Sequence, residues 1–217
     1  MIAEIVGPAG AGKSTITQIL SQRSPAIRGG FCLRRIQFMP TFLGRAILSL
    51  PRYLHRPGGE RQVSWEVLMV MVYLEKLHRV LSRYRSNDST IFFLDQGPVY
   101  SLVYLREFGF EDVGDQKLEL WWEHMLNIWA STLDIIFWLD AQDTVLLERI
   151  QRRSTWHRLK AMSEQQAREF LTRYRAAYWQ VITRLSSKSG PQVLNFFTDK
   201  EPVDQIVDKI MNALEPG

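Results

Sequence analysis

Eight residues near the start of the chain, Gly7-Pro8-Ala9-Gly10-Ala11-Gly12-Lys13-Ser14, follow the pattern G-x-x-x-x-G-K-S. An apolar run over residues 1–6 precedes them and a helix-periodic stretch over residues 14–20 follows. These are the strand and the helix that such a loop needs on its two sides. Glycines let the backbone turn tightly enough for several N–H groups to converge, and the helix behind contributes its positive end, so the natural occupant is phosphate. In this arrangement Lys13 reaches the β and γ phosphates and the Ser14 hydroxyl takes Mg²⁺. Gly7, Ala9, Gly10, Ala11, Gly12 and Thr15 complete the cradle. A glycine-rich helix start that binds nothing is the alternative, and both flanks argue against it. The expected ligand is a nucleoside triphosphate.

The 217 residues, 46% of them apolar, suit one domain over residues 1–217 with a sizeable core. A single cysteine, Cys32, excludes an internal disulfide framework and a thiolate metal cluster. There is no basic leader and no apolar run long enough to span a bilayer, so a cytoplasmic protein without a membrane partner is expected. The formal charge is only +4. No zinc finger, aromatic RNA-binding signature or basic tail points to nucleic acid. Arginines gather at Arg34 and Arg35 and again at Arg149, Arg152, Arg153 and Arg158, where phosphate ligands and solvated helix faces are competing explanations.

Residues 1–6 read as the first, central strand and residues 13–22 as the first helix, stopped by Ser24 and Pro25. Patterning then weakens. An irregular or edge strand over residues 31–38 would carry Arg34 and Arg35, Pro40 and Pro51 bracket a short apolar helix, and the loop-like residues 52–60, ending at Glu60, can border a substrate site. Residues 63–83 show apolar side chains at helical spacing. Short continuous apolar runs at 90–94 and 133–139 have the character of parallel strands buried on both faces. Helices are expected over 99–108, 116–129, 144–153, 162–185 and 202–214, with a last strand over 192–197. Ser163 and Gln166 have the spacing of a capping box. Strands and helices alternating in this way give an α/β fold: a five-stranded parallel sheet with helices on both faces.

The run at 90–94 ends in Asp95-Gln96-Gly97-Pro98. Ligands of open α/β sheets bind beyond the carboxyl ends of the strands, where Asp95 can hold Mg²⁺ or accept a substrate proton. Capping of the following helix is its structural alternative, and the two roles are compatible. Beyond Asp140, Arg149 and Arg153 stand four residues apart, a spacing that shares one helical face, and Arg158 follows in a polar stretch. Such a group can clamp phosphoryl oxygens. Tyr100 and Tyr104 share a face and can stack on a ring-shaped acceptor, although core packing is the commoner use of aromatics. The Trp-bearing helix over 116–129 packs on its own sheet or forms a homodimer face; the periodicity is the same for both.

Taken together, the loop through Thr15, the strand ending in Asp95, and the L-D…L-L-E-R-I-x-x-R segment over residues 139–152 resemble the P-loop small-molecule kinases, especially the thymidylate kinase and deoxynucleoside kinase group. The resemblance spans most of the chain. It implies the P-loop NTPase fold with an Arg-bearing lid over residues 153–162, and ATP with Mg²⁺ as donor. Lys13 and the loop amides would hold the phosphates, Ser14 and Asp95 the metal, and Arg149, Arg153 and Arg158 the transferred group. The acceptor would be a nucleoside, nucleotide or similar small molecule. Those kinases follow the strand-end acid with Arg, whereas this chain has Gln96. Since that Arg holds phosphate, an uncharged hydroxyl acceptor gains weight. Deoxynucleoside kinases place a carboxylate base after the second strand; Glu60 and Glu66 are candidates here, with Asp95 as the alternative. The competing reading is a regulatory or nucleotide-binding NTPase with no small-molecule acceptor.

Overall fold

The computed structural model describes residues 1–29, 64–84, 91–109, 116–187 and 189–214. Arg34, Arg35, Glu60, Cys32 and the helix expected over 41–50 lie outside the described residues. The elements in chain order are β1 (Ile2–Val6), α1 (Lys13–Arg23), β2 (Ile27–Gly29), α2 (Trp65–Tyr84), β3 (Ile91–Asp95), α3 (Pro98–Tyr104) and a π-helical turn at Leu105–Gly109. They continue with α4 (Gln116–Thr132), β4 (Ile135–Asp140), α5 (Asp143–Arg152), a 3₁₀ turn at Arg158–Ala161, α6 (Glu164–Leu185), β5 (Gln192–Phe197) and α7 (Val203–Leu214).

All strand pairs are parallel, in the order β2-β3-β1-β4-β5. Parallel neighbours require crossovers, and the helices that make them cover both faces. The period-two alternation of the strands divides the core. Ile2 and Val6 of β1 and Ile136 and Trp138 of β4 face a cluster built with α2, α3, α4 and the second half of α6. Ala3, Ile5, Ile135, Phe137 and Leu139 face the cluster of α1, α5, α7 and the first half of α6. Trp122 and Trp129 of α4 are buried in the first cluster and serve as core.

Several local signals act as expected. Ser163 accepts from the Gln166 N–H at 3.3 Å while Gln166 Oε1 accepts from the Ser163 N–H at 3.0 Å, closing the capping box that starts α6. A second strand covers Ile27–Gly29, where Ile27 pairs with Ile91; the strand expected over 31–38 lies outside the described residues. A strand is fixed by its ladder partner, and three residues carry too little pattern to announce one. Central placement of β1 between β3 and β4 sets the site, because register pairs Ile5 with Asp95. The loop after Val6 and the carboxylate ending β3 thereby leave the sheet side by side.

Candidate active site

The loop between β1 and α1 has glycine where geometry demands it. A Cβ on Gly7 would sit 2.0 Å from the Leu139 carbonyl oxygen, so only glycine lets the loop run this close to β4. Gly12 has φ 88° and supplies no side-chain cap, which leaves the first N–H groups of α1 open toward the loop's concavity. Lys13 lies partly buried with its Nζ donating to the carbonyls of Gly7 at 2.7 Å and Pro8 at 2.9 Å. Burial brings the Lys13 ammonium down to about 8, helped by the Arg153 charge and opposed by Asp95. Ser14 and Thr15 are exposed.

A cavity of about 280 Å³ opens from this loop. Gly7, Ala9, Lys13 and Ser14 form one end, and Asp95 and Gln96 stand beside them. Burial raises the Asp95 carboxyl while the Lys13 charge lowers it. Gln96 has φ 60°, a left-handed conformation that few non-glycine residues adopt and that recurs at functional sites. The far wall is aromatic: Tyr100 and Tyr104 from α3, Phe108 from the π-helical turn, and Phe170, Tyr174 and Tyr178 from α6. Tyr100 and Tyr104 lie 6.5 Å apart at 25°, and Phe170 and Tyr174 lie 5.4 Å apart at 24°. Burial foremost raises the hydroxyls of Tyr100, Tyr174 and Tyr178, so they stay neutral.

Arg153, His157 and Arg158 line the cavity from the segment between α5 and α6. Leu159 anchors that segment in the core, and Lys160 Nζ donates to the Arg153 carbonyl, tying its two ends together. His157 Nδ1 accepts from the Leu159 N–H at 3.3 Å. Burial, and then the charges of Arg153, Arg158, Lys13 and Lys160, lower the His157 imidazole. The Arg158 guanidinium lies over the rings of Phe108 at 4.8 Å and Phe170 at 5.7 Å. Among the described residues, Lys13, Arg153 and Arg158 therefore face one carboxylate, Asp95, a balance suited to a polyanion.

Arg149 departs from expectation. Its guanidinium donates to the Gly10 carbonyl at 3.2 Å and to Thr198 Oγ1 and O at 2.8 and 2.9 Å, and it does not line the cavity. α5 ends at Arg152 with Arg153 as its C-cap, and of the two arginines Arg153 lines the cavity while Arg149 is engaged by Gly10 and Thr198. Asp140 is likewise engaged, held by Arg175 at 2.8 and 3.0 Å, and Asp199 accepts from the Gln142 N–H at 3.1 Å. Glu66 accepts from the Tyr104 hydroxyl at 3.3 Å.

Glu4, Phe108, Phe170, Tyr174 and Tyr178 escape a reading by motif. Glu4 alone had a visible signal, a charge inside the otherwise apolar strand I-A-E-I-V. Among the described residues there is no group of three or more His, Cys, Asp or Glu side chains able to hold a metal by themselves. No helix among them is long and apolar enough to cross a membrane.

No protein-family model and no curated protein matches the chain by sequence. Solved structures do match. Deoxyadenosine kinase from M. mycoides, with the products dCMP and a flexible dCDP bound, has a TM-score of 0.56 at 18% identity, covering 99% of this chain and 98% of its own. Thymidylate kinase from Candida albicans has a TM-score of 0.56 at 16% identity, covering 98% of this chain and 90% of its own. The YorR protein from Bacillus subtilis, in complex with phosphorylated GDP, has a TM-score of 0.51 at 17% identity, covering 99% and 95%. The chain thus has the fold shared by P-loop deoxynucleoside and thymidylate kinases.

Proposed function

We propose that this chain is an ATP-dependent phosphotransferase that moves the γ-phosphoryl group to a nucleoside, nucleotide or similar small acceptor. The shared cavity carries the reading: a phosphate loop at one end, Asp95 beside it, and an aromatic chamber behind. A regulatory NTPase has no use for such a chamber. The similar structures with bound deoxynucleotides support the same substrate class.

In this reading the Lys13 ammonium leaves the Gly7 and Pro8 carbonyls for the donor's phosphates. The acceptor's hydroxyl oxygen bonds to the γ-phosphorus while the bond to the β–γ bridging oxygen breaks, ADP departs, and the hydroxyl proton passes to Asp95 or to solvent. Charge on the transferred group is met by Arg153 and Arg158, the arginines of a lid over residues 153–162. Arg149 instead holds Gly10 and Thr198 together beneath it. Ser14 and Asp95 are hard oxygen donors on one cavity wall, the partial ligand set that Mg²⁺ takes while keeping several waters. When bound, the ion offsets phosphate charge. Asp95 either shares the metal or takes the hydroxyl proton, and Asp95→Asn with a Mg²⁺ titration separates the two: a lost ligand raises the Mg²⁺ requirement, a lost base does not.

Gln96 offers an amide where a phosphate-holding cation would stand, which favours an acceptor that enters uncharged. The deciding experiment incubates the protein with ATP, Mg²⁺ and panels of nucleosides and nucleoside monophosphates and weighs the products. A phosphorylated acceptor is expected. Free phosphate alone overturns the kinase reading and leaves an NTPase without an acceptor.

A further inference from the structure

Glu4 occupies the middle of the central strand and is fully buried, with Ala3 and Ile5 on either side. Burying a carboxyl group in a core is costly unless its oxygens find donors. Both do: Oε2 accepts from the Val99 N–H at 2.8 Å and Oε1 from the Tyr100 N–H at 3.1 Å. These groups belong to the first turn of α3, whose N–H groups have no partner within the helix. The residue in the cap position is Gly97, which has no side chain to serve them. Glu4 therefore caps α3 from a neighbouring strand.

Gly97 and Glu4 fit together. A Cβ on Gly97 would lie 3.0 Å from Glu4 Cδ, 3.1 Å from Glu4 Oε2 and 2.9 Å from Leu94 Cβ, so the missing side chain is the space into which the carboxyl packs. The ladder holds the near end of this turn by pairing Ile5 with Asp95, and Glu4, one residue earlier on the same strand, holds the far end. Between the two anchors stand Asp95 and Gln96, the latter at φ 60°. A left-handed glutamine is unfavourable by itself and persists only where its surroundings enforce it.

We propose that Glu4 is a positioning residue for the transfer reaction: by capping α3 across the sheet it keeps Gln96 left-handed and Asp95 at the cavity's edge. This rests on the kinase reading above. Glu4 does not line the cavity, and it acts through the turn.

The test compares wild type with E4Q, E4D and G97A by two measurements. The first is hydrogen exchange at the Val99 and Tyr100 amides in the free protein. E4Q keeps one acceptor and sets an NH₂ against the other amide, so exchange there quickens; E4D, with both oxygens on a shorter stem, falls between E4Q and wild type. The second is the split between kcat and ATP affinity. E4Q lowers kcat by about 10²-fold, the cost of displacing a reacting group by an ångström, while the Kd for ATP stays at the wild-type value because the phosphate loop is untouched. G97A, with Glu4 intact but crowded, reproduces both changes, and it decides the matter if E4Q fails to fold. Folded E4Q with wild-type exchange or wild-type kcat overturns the proposal. So does ATP affinity falling in step with kcat, which would mark general damage. Wild type that phosphorylates no acceptor refutes the kinase reading, and the exchange data then decide the capping by themselves.

Discussion

The two ends of the cavity are built on different plans. The phosphate end is one contiguous stretch whose work is done largely by backbone, with Lys13 already hydrogen-bonded to its own loop. The proposed acceptor end collects side chains from the turn after β3, α3, the π-helical turn and α6, far apart in sequence. A backbone site tolerates change in most of its side chains but none in its glycines. A side-chain site can be retuned residue by residue, as Gln96 illustrates. Reaction at one end and selection at the other should therefore respond differently to substitution.

Phosphoryl transfer itself should show the largest effects. Lys13→Ala and Asp95→Asn should each lower kcat/KM on the order of 10³-fold, measured by product formation with a saturating acceptor, and near-normal turnover in either would erase the distinction between the ends. Next come Arg153→Ala and Arg158→Ala, with kcat down about 10²-fold and ATP Kd little changed, read by single-turnover kinetics. Unchanged kcat in both would remove the lid from the chemistry. Arg149→Ala should act on folding instead, lowering stability by about 2 kcal/mol for its lost charged hydrogen bonds with kcat within a few-fold of wild type, as urea denaturation and turnover would show. At the acceptor end, Tyr104→Leu should raise acceptor KM about tenfold and leave ATP KM alone; a matching rise for ATP would merge the two ends.

The smallest expected effect is the pH dependence of stability, and it comes from Glu4, which faces Asp95 from β3 and Tyr178 from α6. Burial pushes its carboxyl up to about 8 from the ordinary 4.5, against the pull of the Val99, Tyr100 and Gly97 N–H groups, with Asp95 adding to the rise. The folded protein then holds a proton that the unfolded chain has released. Its contribution to stability is complete below the unfolded value and disappears as pH rises through about 8. Relative to E4Q, the wild type should lose at most about 1.4 kcal/mol per pH unit in that window. Urea titrations at several pH values measure the slope, and a flat difference would mean that Glu4 is ionised in the fold.

The sequence disclosed the contiguous end of this cavity and concealed most of the dispersed one, for a physical reason. A phosphate loop is local: its turn, its lysine and the start of its helix lie within eight residues, so spacing alone specifies it. Asp95 was legible because an apolar run that stops at an acid marks a strand end. Tyr174 and Tyr178 look like any amphipathic helix face, and only the packing of α6 across both core clusters shows that their part of the helix borders the cavity. Arg149 shows the limit of spacing, which says from which helical face a side chain leaves but not that Gly10 and Thr198, from other parts of the chain, engage its guanidinium. Glu4 could have been suspected, since a charge among four apolar neighbours in a central strand asks for a partner, but nothing local says that the partner lies near residue 99.

One consequence of β1 concerns length rather than composition. Within five residues it places the cap at position 4, the pairing with Asp95 at position 5 and the departure of the loop after position 6. Those offsets are set by the rise of an extended chain, about 3.3 Å per residue. Exchange of one side chain for another in this strand has graded effects. Insertion or deletion of a single residue would instead turn Glu4 to the opposite core and uncouple the loop from the acid at once. The strand is a ruler, so transplanting this site into another sheet would require moving the ruler together with the loop it ends in.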